Sequence, residues 1–353
     1  MTQCDVAIVG GGPAASAAGL MLARAGLSCT ILERGDDRGD KPGESLAPNA
    51  RPLLQRLGVW DDLERDGHLP CHGNRSCWGS DTIAEEAFIF SPYGHGWHLE
   101  RRRFERLLSS RAIEAGVQRR TNARVVDAER NGVWHLRCAD GSTLSAPYVV
   151  DATGRAGWLA HRAGARRIVD DVLVAAVAFL ETSGDPERDS WTLVEAIEEG
   201  WWYTAVLPGR RLAAMFVTDP AVVPARYAAT SEAWHALLEH APHTRERIAA
   251  HGYALVEPPK IVDAGSARLD TVAGEGWLAI GDAAMALDPL SSHGIASALA
   301  TGIEAAEAIV SGSDARYRTI IDTMWNAYAS MRREMYAAEQ RWPHSPFWRR
   351  RIA

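Results

Sequence analysis

Lysine is almost missing from this chain, since Lys41 and Lys260 are the two lysines among 353 residues. Basic charge is carried by arginine, and the formal net charge at neutral pH is −7. An acidic chain without a run of basic residues does not have the electrostatic footprint of a nucleic-acid-binding protein. We therefore predict no nucleic-acid partner.

Cysteine is sparse, and long apolar runs are absent. The five cysteines are scattered and odd in number, which predicts free thiols rather than a disulfide framework. No uninterrupted apolar run reaches the roughly 18 to 20 residues that cross a bilayer, and the chain enters its first strand without a signal-like segment. We predict a cytoplasmic protein without a membrane span; no repeat or low-complexity linker is present.

Glycine is concentrated in two motifs. The first, from Gly10 to Ala15, matches G-x-G-x-x-G/A; it follows the apolar run 6–9 and precedes a helix-forming stretch. Such a turn delivers backbone amides to a pyrophosphate at a helix N-terminus. Glu33 follows the next strand, roughly 20 residues on, where an acid binds ribose hydroxyls. Together these features indicate a dinucleotide site. The alternative is that the glycine motif is only a tight surface turn.

The second motif starts at Gly281 and Asp282, directly after a predicted buried strand. Its acid can accept hydrogen bonds from polyol hydroxyls. A helix predicted to open at Gly294 would point its free amides at an anionic group. The alternative is a helix capped by Ser291 or Ser292 without a ligand.

Periodicity predicts an α/β chain of interleaved segments. Helices are predicted over 14–24, 50–67, 104–115 and 221–251. Strands are predicted within 68–98, over 123–127, 133–138 and 143–150, within 172–218, and over 276–280.

Four motifs occur in the order typical of one family. Two of them are the glycine motifs. The third, Trp97 to Glu105, is similar to a family segment in which an arginine, here Arg101, opens a helix near FAD. The fourth, Val149 to Arg155, is similar to the family's second strand and turn near the nucleotide. The chain thus resembles the glutathione-reductase-type FAD monooxygenase superfamily, with para-hydroxybenzoate hydroxylase, geranylgeranyl reductases and flavin-dependent halogenases.

This resemblance implies a Rossmann-like FAD-binding domain of the glutathione reductase type, formed by 1–70, 99–165 and 262–312. An interleaved antiparallel-sheet substrate domain would comprise 71–98 and 166–261, and a helical tail 313–353. The implied FAD-binding residues are Gly10, Gly12, Pro13, Ala14, Ala15, Glu33, Arg34, Ser45, Arg101, Val125, Ala152, Thr153, Gly154, Asp282, Pro289, Ser292, Gly294 and Ile295.

The loop from Pro42 to Pro48 resembles the P-G-E-S-L-x-P loop of phenolic-type halogenases, which implies that Glu44 lies near the flavin edge. Capping the helix after it is the alternative role for Glu44. A halogenase also needs a lysine amine to carry hypohalous acid. By alignment with the following Trp78-Gly79 pair, Cys71 occupies that position, and a thiol would be oxidised instead. Halogenation is therefore not our first prediction.

A closer likeness is to the LodB, GoxB and QhpG type of flavoproteins, which are linked to oxygenation of a tryptophan in a partner protein. It implies an FAD-dependent monooxygenase that hydroxylates an indole-like or phenol-like ring through a flavin C4a-hydroperoxide, with O2 as co-substrate. The substrate would be an aromatic small molecule or a tryptophan-containing protein or peptide. Predicted pocket residues are Trp97, His98, Glu195, Trp201, Trp202 and Tyr203, and His293 and Glu44 are the candidate catalytic groups.

Other interpretations stay open. A reductase or dehydrogenase of the geranylgeranyl-reductase type would share every FAD motif, and so would a non-catalytic maturation partner. No second G-x-G-x-x-G occurs, so NAD(P)H would bind transiently or a separate flavin reductase would supply electrons. The cluster His68, Cys71, His72 and Cys77 fits no common zinc spacing, and no metal is predicted. The terminal arginines 349–351 are interpreted as a solvated end or a contact for an acidic partner.

Overall fold

The computed structural model of the protein describes residues 2–36, 41–185 and 187–352. These residues form eleven α-helices: α1 (Pro13–Arg24), α2 (Arg51–Arg56), α3 (Trp60–Arg65), α4 (Arg101–Glu114), α5 (Trp158–Arg162), α6 (Ala225–Ala228), α7 (Ser231–Leu238), α8 (Pro242–Ala250), α9 (Gly294–Ser311), α10 (Asp314–Ala337) and α11 (Pro346–Ile352).

The strands of the described chain are β1 (Thr2–Gln3), β2 (Val6–Val9), β3 (Cys29–Leu32), β4 (Ser45–Leu46), β5 (Leu69–Cys71), β6 (Gly73–Cys77), β7 (Ala84–Ala87), β8 (Gly96–His98), β9 (Gln118–Arg120), β10 (Val125–Asn131), β11 (Val133–Cys138), β12 (Thr143–Ala146), β13 (Tyr148–Asp151), β14 (Arg167–Asp171), β15 (Val174–Glu181), β16 (Thr192–Ile197), β17 (Gly200–Leu207), β18 (Arg211–Thr218), β19 (Ala254–Leu255), β20 (Lys260–Asp263), β21 (Ser266–Leu269), β22 (Ala273–Gly274), β23 (Trp277–Ala279) and β24 (Met285–Ala286).

A six-stranded sheet in the order β22-β23-β13-β2-β3-β9 forms the centre of the nucleotide-binding part. Strands β23, β13, β2, β3 and β9 run parallel, and β2 and β3 are buried along their whole length, as continuous apolar strands of a covered parallel sheet are. Both glycine motifs follow strands of this sheet, so they meet at its carboxyl edge.

A second, mainly antiparallel sheet has the order β19-β15-β18-β17-β16-β6-β7, with β20 also paired to β15. One face packs on α7 and α8 through Trp202 and Trp234. The opposite face packs Trp201 and Tyr203 toward the nucleotide-binding part and the C-terminal helices. The predicted α/β fold with an interleaved antiparallel sheet is confirmed, whereas the predicted domain bounds stay predictions.

Helices α1 and α9 pack closely because Gly302 has no side chain. A Cβ at Gly302 would lie 2.5 Å from the carbonyl oxygen of Ala14 and 3.1 Å from the Cβ of Ala17. By length and composition α9 is apolar enough to cross a membrane, with a mean hydropathy of 1.2 over 18 residues, but half of this stretch is buried, as in the core helix of a soluble protein. The close contact of α1 with α9 at Gly302 brings the two glycine motifs together.

Some predicted elements are wrong in detail. Pro147 separates β12 from β13, so the strand predicted over 143–150 contributes to two different sheets. The helix predicted over 50–67 is two short helices, and the one over 221–251 is three. Within 68–98 the apolar run 87–90 predicts a strand, but Phe88 to Phe90 forms a 3-10 turn.

The interpretation of the terminal arginines as a solvated end is wrong for Arg351. Arg351 is buried, makes bidentate hydrogen bonds to Asp171 of 2.9 Å each, and lies 4.2 Å over the Phe347 ring. Arg350 pairs with Asp219. These ion pairs fasten α11 to Asp171 at the end of β14 and to Asp219 directly after β18.

Because no room exists beside Gly302, we expect Gly302→Ala to force α1 and α9 apart. Overpacking of this kind costs about 1–3 kcal/mol of unfolding free energy. Urea denaturation measures the loss, with Ser311→Ala at the exposed end of α9 as the control. An unchanged denaturation midpoint in Gly302→Ala would contradict the close packing.

Candidate functional site

A cavity of about 660 Å³ opens at the carboxyl ends of β2, β3 and β13. Gly10 has a φ of +107°, and a Cβ there would lie 2.1 Å from the carbonyl oxygen of Ala152, so no larger residue fits this turn. Glu33 also lines this cavity, and its Oε2 accepts a hydrogen bond of 2.6 Å from the amide of Gly11. The adjoining backbone and carboxylate have the chemistry of a site for the adenosine end of a dinucleotide.

A second cavity of about 470 Å³ shares Gly12, Lys41, Ala152 and Gly154 with the first and extends to the start of α9. At Gly12, Gly154 and Gly294 a Cβ would meet no atom within 4 Å, so each exposes bare backbone to open space. The first amides of α9 face this space without a side-chain cap. The two cavities thus form one continuous cradle that suits a long anionic cofactor.

Asp282 lines the second cavity, and its Oδ2 lies 3.5 Å from the Nε of Arg155. Burial raises the pKa of the Asp282 carboxyl, and the neighbouring arginines oppose this rise. A carboxylate beside a cavity at this point can accept hydrogen bonds from the ribityl hydroxyls of FAD. All eighteen residues predicted to bind FAD line one cavity or the other.

The P-G-E-S loop is fixed by Arg101, the first residue of α4. Its guanidinium donates to the carbonyls of Pro42 and Gly43 at 2.6 and 2.8 Å. This places Glu44 at the cavity, buried, with its Oε1 lacking a hydrogen-bond partner. Burial raises the pKa of Glu44, and the charge of Arg101 opposes the rise. Glu44 therefore faces the cavity rather than capping a helix.

One face of the antiparallel sheet forms the opposite wall of this cavity, with Ala175, Tyr203, Met215 and Val262. The Tyr203 hydroxyl lies 2.7 Å from Ser45 Oγ, a contact that links the wall to the P-G-E-S loop. The wall is otherwise apolar, so it can exclude water from the space above a bound ring.

The structure does not bring the other predicted pocket residues to this cavity. Trp202 points to the far face of the sheet because neighbouring residues of a strand alternate. Trp201 packs against Tyr336 and Trp78. Glu195 caps α8, accepting from the amides of His243 and Thr244.

Trp97 and His98 lie behind the P-G-E-S loop on β8, which pairs with β4. The His98 Nε2 lies 3.0 Å from Thr192 Oγ1, and burial lowers the pKa of His98 to about 3. His293 precedes α9 between two cavity-lining residues and is 3.5 Å from Asn49; burial lowers the pKa of His293. His293 therefore lies at the rim of the second cavity.

Cys71 is buried at the end of β5, where its thiol donates to the carbonyl of Gly73 at 3.4 Å and lies 3.7 Å from Thr192 Oγ1. Burial raises the pKa of this thiol. Lys260, at the exposed start of β20, pairs with Glu257, and Lys41 pairs with Glu105. Both lysine amines are therefore engaged by carboxylates, and Lys41 is the lysine that lines the cavity.

Asp288 is a residue whose role the sequence did not reveal. It is buried beside the cavity; its Oδ1 accepts from the Leu290 amide at 2.9 Å and its Oδ2 from the Tyr336 hydroxyl at 2.7 Å. The amide of Asp288 donates to Tyr328 at 2.9 Å. Helix α10 thereby holds the turn that leads into α9. Because both tyrosines lie at least 40 residues away, no local pattern could have indicated them.

A geometric group of possible metal ligands, Cys77, Glu195 and His243, lies near α8. Glu195 is already engaged by the start of α8, and Arg341 donates to the Cys77 thiol at 3.6 Å. A guanidinium beside the thiol opposes a cation there. The residues of the zinc cluster considered above are dispersed, with His68 bound to the Glu100 amide and Cys71 next to Thr192.

The glycine turn, the ribose acid, Asp282 and the amides of α9 define an FAD-dependent flavoprotein. A family model described as tryptophan halogenase matches residues 78–352. The chain therefore belongs to the tryptophan halogenase family, as a member of the flavoprotein superfamily expected from its motifs.

Individual relatives agree with this assignment. LodB of Marinomonas mediterranea (strain ATCC 700492 / JCM 21426 / NBRC 103028 / MMB-1), assigned as an FAD-dependent oxidoreductase, is 27% identical over 100% of this chain and 98% of its own. The flavin-dependent halogenase CmlS has a TM-score of 0.87 at 25% identity, covering 99% of this chain and 68% of its own. The peptidyl tryptophan dihydroxylase QhpG has a TM-score of 0.79 at 23% identity, covering 100% and 79%.

Since Tyr336 fixes the turn through Asp288, we expect Tyr336→Phe to weaken FAD binding. Leaving a buried carboxylate oxygen unpaired costs about 1–3 kcal/mol, which corresponds to roughly 5- to 150-fold in the dissociation constant if the turn moves. Quenching of flavin fluorescence measures the dissociation constant of FAD. Tyr148→Phe, which removes a similar bond to Asp314 of 3.0 Å, is the matched control. Equal affinities for both variants would contradict this role.

Buried neutral His98 also predicts a pH dependence of stability. The pKa of His98 is lowered to about 3 in the folded state, whereas an unfolded histidine titrates near 6.5, so the unfolded chain binds one more proton between these values. Stability should therefore fall as pH drops from about 6.5 toward 3.

In His98→Asn this slope should be shallower by up to about 1.4 kcal/mol per pH unit. Urea denaturation at pH values from about 4 to 7 measures this slope, because they span most of the range between the two pKa values. The exposed His344→Asn is the control. Identical slopes for His98→Asn and the native chain would rule out a neutral buried imidazole.

Proposed function

We propose that this protein is an FAD-dependent monooxygenase that hydroxylates an electron-rich aromatic ring. One atom of O2 enters the ring and the other leaves as water, while NAD(P)H or a separate flavin reductase supplies two electrons. Bound FAD would supply the chemistry of oxygen activation. The observation that carries the proposal is the apolar wall with Tyr203 opposite the cradle, in a cavity whose Lys41 amine is already paired with Glu105.

The chain's own groups have separable roles in this proposal. The free amides of α9 stabilise negative charge at the end of the cradle, and Asp282 orients a polyol chain. The sheet wall excludes water, which suppresses loss of the activated oxygen as peroxide. Tyr203, held by Ser45, is the polar group positioned to orient a substrate hydroxyl or indole N–H.

The proposed substrate class is an indole-like or phenol-like ring, carried by a small molecule or by a tryptophan of a partner protein. Similarity to LodB over its full length supports a related role, and the fold is shared with a peptidyl tryptophan dihydroxylase. Five free cysteines support a reducing compartment such as the cytoplasm.

Halogenation is the second candidate, since the family model is that of the tryptophan halogenases. Lys41 is the amine nearest to the chemistry because it lines both cavities. Its ion pair with Glu105 engages the amine that a relay of hypohalous acid would need, which favours hydroxylation. The reductase alternative has less support from the family match.

Isotope labelling tests the proposal. Chemically reduced, FAD-loaded protein is mixed with ¹⁸O2 and tryptophan, indole, phenol or a tryptophan-containing peptide, without halide. We expect a hydroxylated product carrying ¹⁸O from O2. Cys71→Ser should retain this product, because Cys71 does not line the cavity. Oxidation of the flavin with peroxide as the sole product for every ring tested would contradict hydroxylation of these ring classes.

A further inference from the structure

A row of polar side chains leads from the wall of the second cavity into the interior of the protein. The Tyr203 hydroxyl lies 2.7 Å from Ser45 Oγ, and Ser45 Oγ lies 3.5 Å from Thr192 Oγ1. Thr192 Oγ1 in turn lies 3.0 Å from His98 Nε2. Tyr203 and Ser45 line the cavity, whereas Thr192 and His98 are buried behind it. This polar row therefore connects the polar group of the wall to a fully buried imidazole.

Strands hold all four members of the polar row. Ser45 of β4 stands directly opposite His98 of β8 in an antiparallel pair, so these two side chains lie on the same face. Thr192 begins β16 and Tyr203 belongs to β17, which is paired with β16. The contacts along the row are therefore fixed by the backbone ladders of these strands.

The hydrogen bonds of the row can be ordered because each hydroxyl has one proton to donate. Burial raises the pKa of Tyr203 and lowers the pKa of His98 to about 3, so the phenol keeps its proton and the imidazole carries a single N–H. The Cys71 thiol, 3.7 Å from Thr192, donates to the carbonyl of Gly73. The direction of the row therefore follows from which imidazole nitrogen carries the N–H.

The surroundings of His98 favour a proton on Nδ1. Nε2 faces the Thr192 hydroxyl, and among the described residues no partner of good geometry is left for Nδ1. The carbonyl of Val206 acts on the imidazole as a hydrogen-bond acceptor, which favours a proton on the ring. A bare Nδ1 would turn its lone pair toward this carbonyl oxygen, whereas an N–H there is attracted to it.

A proton on Nδ1 sets the direction of each bond in turn. Nε2 is then bare and accepts the Thr192 proton. Thr192 Oγ1 receives the Ser45 proton, because the opposite orientation would set two lone pairs against each other. Ser45 Oγ receives the Tyr203 proton. The Tyr203 oxygen is left with a lone pair for a group in the cavity and with no proton to donate to it.

We propose that His98, acting through Thr192 and Ser45, fixes Tyr203 as a hydrogen-bond acceptor, so that the cavity selects aromatic rings that carry an N–H or O–H donor. The selection of a ring rests on the proposed function; the order of the hydrogen bonds does not. A ring that offers only an acceptor would set its lone pair against that of Tyr203. His98 is thus a positioning residue, and Tyr203 is the group that contacts the substrate.

Indole and benzofuran test this preference, because they have nearly the same shape and differ in an N–H donor against an oxygen acceptor. Their dissociation constants are measured on oxidised, FAD-loaded protein from the change in flavin absorption. We expect indole to bind about fivefold or more tightly, since burying an unpaired polar group costs at least that factor.

Tyr203→Phe should abolish the preference for indole. Thr192→Val should reduce it, because Ser45 is then free to turn its proton toward Tyr203. Thr204→Val is the matched control, since Thr204 is the neighbouring residue of β17 and is bonded to Arg247 instead of the polar row. We expect Thr204→Val to keep the preference.

The order of the hydrogen bonds is measured separately by ¹⁵N NMR of protein with labelled histidine, in which His98→Asn identifies the His98 signals. We expect a protonated Nδ1 and a bare Nε2 at neutral pH. A protonated Nε2, equal binding of indole and benzofuran, binding of neither, or a preference that survives in Tyr203→Phe would overturn the proposal. Products without ¹⁸O, with the tautomer and the preference as expected, would contradict the proposed function alone.

Discussion

The buried carboxylate of Asp288 is the interaction on which the arrangement of the site depends. It receives the Leu290 amide within its own turn and the Tyr336 hydroxyl from α10. Tyr336 in turn accepts a hydrogen bond of 3.2 Å from Trp201 of the antiparallel sheet. One carboxylate thus links the turn before α9, helix α10 and the antiparallel sheet.

Because side chains alternate along β17, its aromatic residues lie on opposite faces of the sheet. Trp202 packs among α7 and α8 and stabilises the far side of the sheet, whereas Tyr203 faces the cavity. The Tyr203 ring at the cavity is anchored by its hydrogen bond to Ser45, and Trp201, behind the wall, is anchored by its hydrogen bond to Tyr336. Such anchoring keeps an apolar wall in place without filling the space that a substrate ring needs.

Much of the cofactor cradle could be predicted from the sequence because its signals are local: a strand, a glycine turn, a helix and an acid at fixed spacing. The substrate side could not, because a strand buried on both faces does not show which residues point to the cavity. Glu195 is an example, since its partners on α8 lie 48 and 49 residues later. Arg351 could not be placed from the sequence either, because its carboxylate partner Asp171 lies 180 residues away.

The most direct measurement of the central claim is the product mass under turnover with saturating bromide. Because Glu105 engages the Lys41 amine and Cys71 occupies the position of the halogenase lysine, the account predicts the hydroxylated ring at the same yield with or without bromide, and no brominated product. A brominated ring that replaces the hydroxylated one would show that hypohalous acid reaches the substrate by another route, and it would contradict the account.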